Sequence, residues 1–182
     1  LNRMGEYTDG IERINVELSI KNKLQLADAL HEYLSNEHLP IEKSDDATSD
    51  TVDRAEILGD RPQQAVALVE LVQARWSFIL ANLDAPLRDV RGKLDELGLD
   101  GLSATLDGRI GSQPDALLFD VVQDHTIRAS WKQELRAPLR QIFNGAAYKC
   151  ILDECTAIHK RVLRSRVFVA LHMHAGDGNV HT

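Results

Sequence analysis

The 182-residue chain carries a formal net charge of −7, with hydrophobic residues at 43% and charged residues at 27%. These proportions are typical of a soluble globular domain, and the acidic balance excludes the basic surface that a nucleic-acid-binding protein needs. No run approaches the roughly 18 consecutive apolar residues of a membrane span. The two cysteines, Cys150 and Cys155, match neither a zinc motif nor a disulfide framework, so we expect buried thiols in a reducing, cytoplasmic compartment.

The first predicted elements are a strand and a helix. Apolar and polar residues alternate from Glu12 to Ile20, the period of two that a strand with one buried face shows. Apolar residues at helical spacing then predict a helix over about residues 22–36. Polar residues dominate positions 35–51 and predict a solvated loop.

Two helices are predicted in the middle of the chain. An apolar stripe runs from Ala65 to Leu83 behind Pro62, which suits a first helical position. Pro86 begins a shorter amphipathic helix, and Gly98 fits the residue that follows its last turn. The glycines that come after it predict an irregular connection.

The last third of the chain predicts two strands separated by helices. A second strand is expected over residues 117–128, and the pair Ser130 and Gln133 matches a capping box that begins a helix. Pro138 should kink that helix. A final helix then leads to a third strand over 167–174. Three strands and about five helices with local connections predict an α+β fold with a small antiparallel or mixed sheet.

The densest group of potential metal ligands lies at the C-terminus. Three of the seven histidines are His172, His174 and His181. The Gly176-Asp177-Gly178 sequence permits a tight turn, so we expect a hairpin in which His181 faces His174, with His172 the weaker candidate. Two imidazoles suit a divalent cation, but a catalytic zinc site takes three protein ligands, so the pair predicts a partial site. The alternatives are histidines that only pack in a non-catalytic helical assembly domain, or a metallohydrolase built on all three.

The octapeptide from His174 to His181 (HAGDGNVH) resembles the signature of the C-terminal domain of FAD-linked oxidases. This family contains D-lactate dehydrogenases and the glycolate oxidase flavin subunit. Asp124–Arg128 is similar to a strand end of that domain, and Glu12–Ile20 resembles its opening strand. Residues 4–15 and 166–182 most resemble very large FAD/FMN-containing dehydrogenases with iron–sulfur domains, and the likeness covers nearly the whole chain.

The resemblance implies a fragment of a flavoprotein. Residues 1–182 would be a partial substrate or cap domain with an incomplete ferredoxin-like fold and a helical insertion over 84–114. FAD would be bound mainly by a separate domain of the same polypeptide, and an iron–sulfur cluster would lie elsewhere in it. The implied enzyme oxidises a small 2-hydroxy acid such as D-lactate or glycolate, and the fragment alone is expected to be inactive.

The resemblance also implies roles for individual residues. His174 and His181 would ligate a divalent metal such as zinc, and the third ligand and catalytic base would belong to a downstream Glu-His-Gly motif that this sequence lacks. Arg75 would grip the substrate carboxylate, a task that suits the arginine fork. The family pattern is broken at Arg128, where proline is usual, and at Val122, where lysine is usual, so the substrate stays open.

The sequence also predicts partners. The chain begins at Leu1 and stops at Thr182 within the predicted hairpin, so we expect a piece of a longer polypeptide. Its partners would be the 2-hydroxy acid, the FAD-binding domain of the same polypeptide and, through an open sheet edge, a second copy of the chain. No nucleic acid partner is expected, and the parent protein would be cytoplasmic and peripheral to the membrane.

Overall fold

Helices dominate the protein. The structure, a computed structural model, describes residues 2–42, 54–165, 172–173 and 180–181. Helices make up 78% of the described residues, and these residues form no sheet layer, so the fold class is all-α. The prediction of an α+β fold with a ferredoxin-like sheet of about three strands is therefore wrong.

The described residues form eight α-helices and two short strands. The α-helices are Asn2–Leu34 (α1), Arg54–Leu58 (α2), Arg61–Ala81 (α3), Leu87–Leu94 (α4), Ser103–Ser112 (α5), Leu118–Gln123 (α6), Ala137–Ile142 (α7) and Lys149–Arg164 (α8). Two-residue strands follow at His172–Met173 (β1) and Val180–His181 (β2). The chain divides into two compact units, unit 1 with residues 1–22, 79–128 and 165–182, and unit 2 with residues 23–78 and 129–164.

The predicted first strand is instead part of α1. Of the residues from Glu12 to Ile20, only Ile20 is buried, and Ile14 is 44% exposed. The Nε of Arg13 donates to Glu17 Oε1 at 3.1 Å, a contact between residues four apart that is typical of a helix surface. The alternating pattern therefore lies along a helix, and the strand prediction for Glu12–Ile20 is wrong.

Two of the predicted helices are confirmed in α1 and α3. The helix predicted over 22–36 is the second half of α1, and the stripe that begins at Ala65 lies on α3. Its members Val69, Val72 and Trp76 are buried in unit 2. Among the described helices, only α3 is long and apolar enough to cross a membrane. The core helix of a soluble protein can have the same length and composition.

In unit 1, a turn and a short helix stand where the second strand was predicted. A single antiparallel bridge joins Pro86 to Leu117. α6 begins directly after the bridge, and Asp120 Oδ2 accepts a hydrogen bond from the backbone N of Leu117 at 2.8 Å. That bond satisfies one of the backbone donors left open at a helix start. Leu118 is buried on the first turn of α6, and the strand prediction over 117–128 is wrong.

The helix predicted from Ser130 is confirmed, with a change in its cap. Ser130 Oγ accepts a hydrogen bond from Gln133 N at 3.2 Å, as the capping box predicts. The reciprocal bond is made by Glu134, whose Oε2 accepts from Ser130 N at 2.7 Å. The segment starts with a π-helical turn and continues as α7 from Ala137, with Pro138 in the first turn of α7. A change of helical geometry at the proline was the expected effect.

Gly145 separates α7 from α8 in a backbone conformation reserved for glycine. Its φ is 126° and its ψ is 160°, a region that strains a residue with a side chain by about 1–3 kcal/mol. A Cβ at this position would meet only Tyr148, at an ordinary distance of 3.9 Å, so the strain lies in the backbone. We expect Gly145→Ala to lower the free energy of unfolding in urea by about 1–3 kcal/mol.

A matched glycine substitution provides the control. Gly10 lies inside α1, and a Cβ there would meet nothing within 4 Å. Because alanine favours a helix over glycine, Gly10→Ala should raise the free energy of unfolding by about 0.5–1 kcal/mol. If Gly145→Ala were as stable as the wild type or raised the free energy of unfolding as Gly10→Ala should, the conformational argument for Gly145 would be wrong.

Candidate functional site

His172 and His181 belong to two short antiparallel strands in unit 1. β1 pairs with β2 in a register that places His172 opposite His181 and Met173 opposite Val180. An antiparallel pairing of these two segments is what the predicted hairpin requires. The expected partner of His181 is His174, which lies outside the described residues. The position that the structure shows opposite His181 is His172, the weaker sequence candidate.

The hairpin supplies only part of a metal site. Directly paired residues of an antiparallel ladder have Cα atoms about 4.5–5.5 Å apart, so the backbone brings two histidine positions together. Among the described residues, no group of three or more His, Cys, Asp or Glu side chains could hold a metal ion. Because a catalytic zinc site takes three protein ligands, the described part of the chain does not complete the site.

Arg75, the predicted substrate ligand, is already paired with a carboxylate in unit 2. Its side chain is only 10% exposed, and its Nη1 donates to Glu134 Oε1 at 2.5 Å. Charge-assisted hydrogen bonds of this kind are roughly twice as strong as neutral ones. A substrate carboxylate would therefore have to displace Glu134 before it could bind the Arg75 guanidinium through the same nitrogen.

Glu134 is the centre of a polar cluster that the sequence did not indicate. Its Oε2 accepts hydrogen bonds from Trp76 Nε1 at 2.9 Å and from the backbone N of Ser130 at 2.7 Å. The same carboxylate binds Arg75 through Oε1. One acidic side chain thus joins α3 to the helical segment that Ser130 caps. The sequence indicated only that Glu134 is an acidic residue a few positions after a predicted N-cap. The contacts of Glu134 with α3 could not be predicted from neighbouring residues.

The two cysteines are free thiols in different environments. Cys155 is buried, and burial raises the pKa of its thiol to about 12. It therefore stays protonated at neutral pH, whereas a nucleophile or a metal ligand needs the thiolate. Cys150 is half-buried, and its Sγ donates to the carbonyl oxygen of Pro40 at 3.2 Å. The burial predicted for both cysteines is complete only at Cys155.

Comparisons of the chain with protein-family models, with curated proteins and with solved structures found no match. The resemblance of the C-terminal octapeptide to FAD-linked oxidases therefore stays an expectation. The resemblance implies a sheet-containing domain, and on that point the all-α fold of the described residues disagrees with it. What the structure contributes to the site is the hairpin register at His172 and His181.

Proposed function

We propose that this chain contributes metal ligands to an FAD-linked oxidoreductase that oxidises a small 2-hydroxy acid of the D-lactate or glycolate type. The supporting observation is the antiparallel pairing of β1 with β2, which places His172 opposite His181, the last residue of the octapeptide that begins at His174. His174 and His181 are the proposed ligands. A reversal at this point is what two histidines seven residues apart require to approach one cation.

The proposed chemistry divides the work between this chain and the rest of its polypeptide. When bound, a divalent cation would polarise the substrate hydroxyl and a flavin would accept the hydride. The role of this chain is to hold the cation through the neutral imidazoles of His174 and His181, a ligand type that zinc, iron and manganese sites all use. The proton-removing base, the third metal ligand and the FAD-binding domain would come from elsewhere in the polypeptide.

The proposal rests on the terminal motif and not on the fold. The family domain implied by the motif is α+β, whereas the described residues form an all-α structure. Arg75 is the weaker part of the proposal, because its guanidinium binds Glu134 at 2.5 Å. If Arg75 holds the substrate carboxylate, it does so by exchanging one carboxylate for another.

The test uses the full-length protein that carries this chain. We expect it to purify with flavin absorbance and the flavin to be reduced by D-lactate or glycolate. His174→Ala and His181→Ala should each lower kcat/KM by more than about 100-fold, since a direct ligand matters more than the outer-shell partners whose loss costs roughly 10–100-fold. The control is His38→Ala, which removes an exposed histidine four residues beyond the end of α1 and should leave kcat/KM and metal content unchanged.

Two outcomes would contradict the proposal. A full-length protein that lacks flavin and does not oxidise 2-hydroxy acids would remove the assigned reaction. Equal metal content and activity in His181→Ala and His38→Ala would remove the ligand role. Tight zinc binding by the 182-residue chain alone, measured by calorimetry, would instead favour the metallohydrolase built on His172, His174 and His181.

A non-catalytic helical assembly domain is the second candidate. It is favoured by the high helix content of the described residues and by the lack of a three-donor group among them. In that case the histidine variants would keep the metal content and the catalytic behaviour of the wild type. Sedimentation of the chain would then show a stable oligomer at micromolar concentration.

A further inference from the structure

Unit 2 contains a cavity that the proposed function does not use. It has a volume of about 230 Å³ and lies between the helical segment of residues 131–142 and α8. Trp131, Leu139 and Leu152 provide apolar walls. The volume is below the roughly 300–1,000 Å³ of pockets for drug-sized ligands, so an occupant would be small.

The charged side chains around the cavity are mostly cationic. Arg136, Arg140 and Lys149 line it, together with a single carboxylate from Asp153. Lys149 donates to Asp153 across one turn of α8, so that carboxylate already has a cationic partner. The two arginines remain as the cations whose charge is not offset by this pair.

The two arginines lie on one face of a helix without a carboxylate between them. Arg136 has helical backbone angles, and Arg140 follows four residues later on α7, so like charges are placed at the spacing where they repel. The Nε of Arg136 is buried and has no hydrogen-bond partner in the described part of the protein. A buried donor without a partner is unfavourable, and Arg136 also lines the cavity, so its guanidinium charge lies beside any anion held there.

We propose that this cavity binds a small oxyanion, either a phosphate group or a short carboxylate. Both chemistries present oxygens that arginine recognises through paired hydrogen bonds. Arg136, which is half-buried and lines the cavity, would contribute guanidinium charge at its wall, and Arg140, which is exposed, would supply charge at the rim. The apolar walls from Trp131 and Leu139 would contact the carbon skeleton of an organic ligand. This site does not involve the C-terminal histidines. The proposal can therefore be tested independently of the proposed function.

The experiment titrates the full chain with inorganic phosphate and, separately, with malonate, at constant ionic strength set with sodium chloride. Affinity is measured by calorimetry, and the shift in Tm gives a second readout. The wild type should bind at least one of the two anions at millimolar concentration or better. Binding of phosphate alone identifies a phosphate site, and binding of malonate alone identifies a carboxylate site.

Three variants separate a specific site from general attraction of anions. Arg136→Gln should raise Kd by roughly ten- to a hundredfold, the effect of losing one charge-assisted hydrogen bond. Arg140→Gln, on an exposed side chain, should fold normally and raise Kd by a smaller factor. Arg88→Gln is the control, because Arg88 is an exposed arginine that pairs with Asp89 in unit 1, and its Kd should match the wild type.

The proposal would be overturned if neither anion bound the wild type more tightly than chloride. It would also be overturned if Arg136→Gln and Arg140→Gln bound as well as Arg88→Gln. Helix content measured by circular dichroism should be the same in all variants. If Arg136→Gln were unfolded, the comparison of Arg140→Gln with Arg88→Gln would still decide the question.

Discussion

Glu134→Ala is expected to lower the free energy of unfolding by about 3–5 kcal/mol, the cost of removing one partner from a buried ion pair. The side chains of Arg75 and Glu134 are only 10% and 13% exposed, so water does not readily replace the lost carboxylate. The substitution also removes the acceptor used by Trp76 Nε1 and by the backbone N of Ser130. Urea denaturation monitored by tryptophan fluorescence measures the change.

An exposed ion pair provides the matched control. Glu154 accepts from Arg161 Nη2 at 2.9 Å, with side chains 41% and 61% exposed. Glu154→Ala should change the free energy of unfolding by no more than about 1 kcal/mol, as is usual for surface pairs. If Glu134→Ala cost as little as Glu154→Ala, the Glu134 cluster would not be a centre of stability. The double variant Arg75→Met/Glu134→Ala should recover part of the loss, because it no longer buries the Arg75 guanidinium.

Leu118→Ala is expected to lower the free energy of unfolding by about 2–5 kcal/mol, the range for truncating a buried leucine. The side chain of Leu118 is 0% exposed in unit 1, at the first residue of α6. Its backbone N donates to Ala85 O at 3.0 Å, and this bond survives the substitution. The expected loss therefore reports side-chain packing and the cavity left behind.

Leu71→Ala serves as the control for this second substitution. Leu71 lies on α3 and is 41% exposed, so truncation should change stability by about 0.5 kcal/mol or less. Thermal unfolding of both variants beside the wild type makes the comparison. Equal Tm values for Leu118→Ala and Leu71→Ala would contradict the burial of Leu118.

The sequence predicted helices well where one apolar stripe continued over many residues. On α3 the stripe from Ala65 to Trp76 repeats at helical spacing, and its members Ala65, Val69, Val72 and Trp76 are buried. On α8 the buried Ile151, Cys155 and Ile158 repeat in the same way. A pattern that persists over several turns fits no strand, because a strand places successive residues on opposite faces.

The false strand at Glu12–Ile20 has a simple geometric cause. Ile14 and Leu18 lie four residues apart, as do Val16 and Ile20, so the same residues satisfy a period of two and the spacing of a helix surface. A short window cannot separate the two periods. The helix is decided by the residues beyond it, since α1 continues without interruption to Leu34.

The candidate site was predictable only where it is local in sequence. The hairpin was predicted from Gly176 and Gly178, and the antiparallel register of β1 with β2 agrees with that prediction. The pairing of Arg75 with Glu134 joins residues 59 positions apart, and no periodicity or motif encodes such a contact. Tertiary packing placed a carboxylate at Arg75, where the family resemblance implied a substrate.

The backbones at Pro86 and Leu117 lie side by side and form a narrow neck at the two ends of residues 87–116. Leu87 N donates to Ala116 O at 2.8 Å on one side of it, and the chain that leaves the neck returns to the same point. Paired backbones of this kind are about 4.5–5.5 Å apart, a gap that a linker of a few residues spans. Residues 87–116 therefore leave and return through one point, but they carry the fully buried Leu87, Leu94 and Leu106, so replacing them would remove part of the core of unit 1.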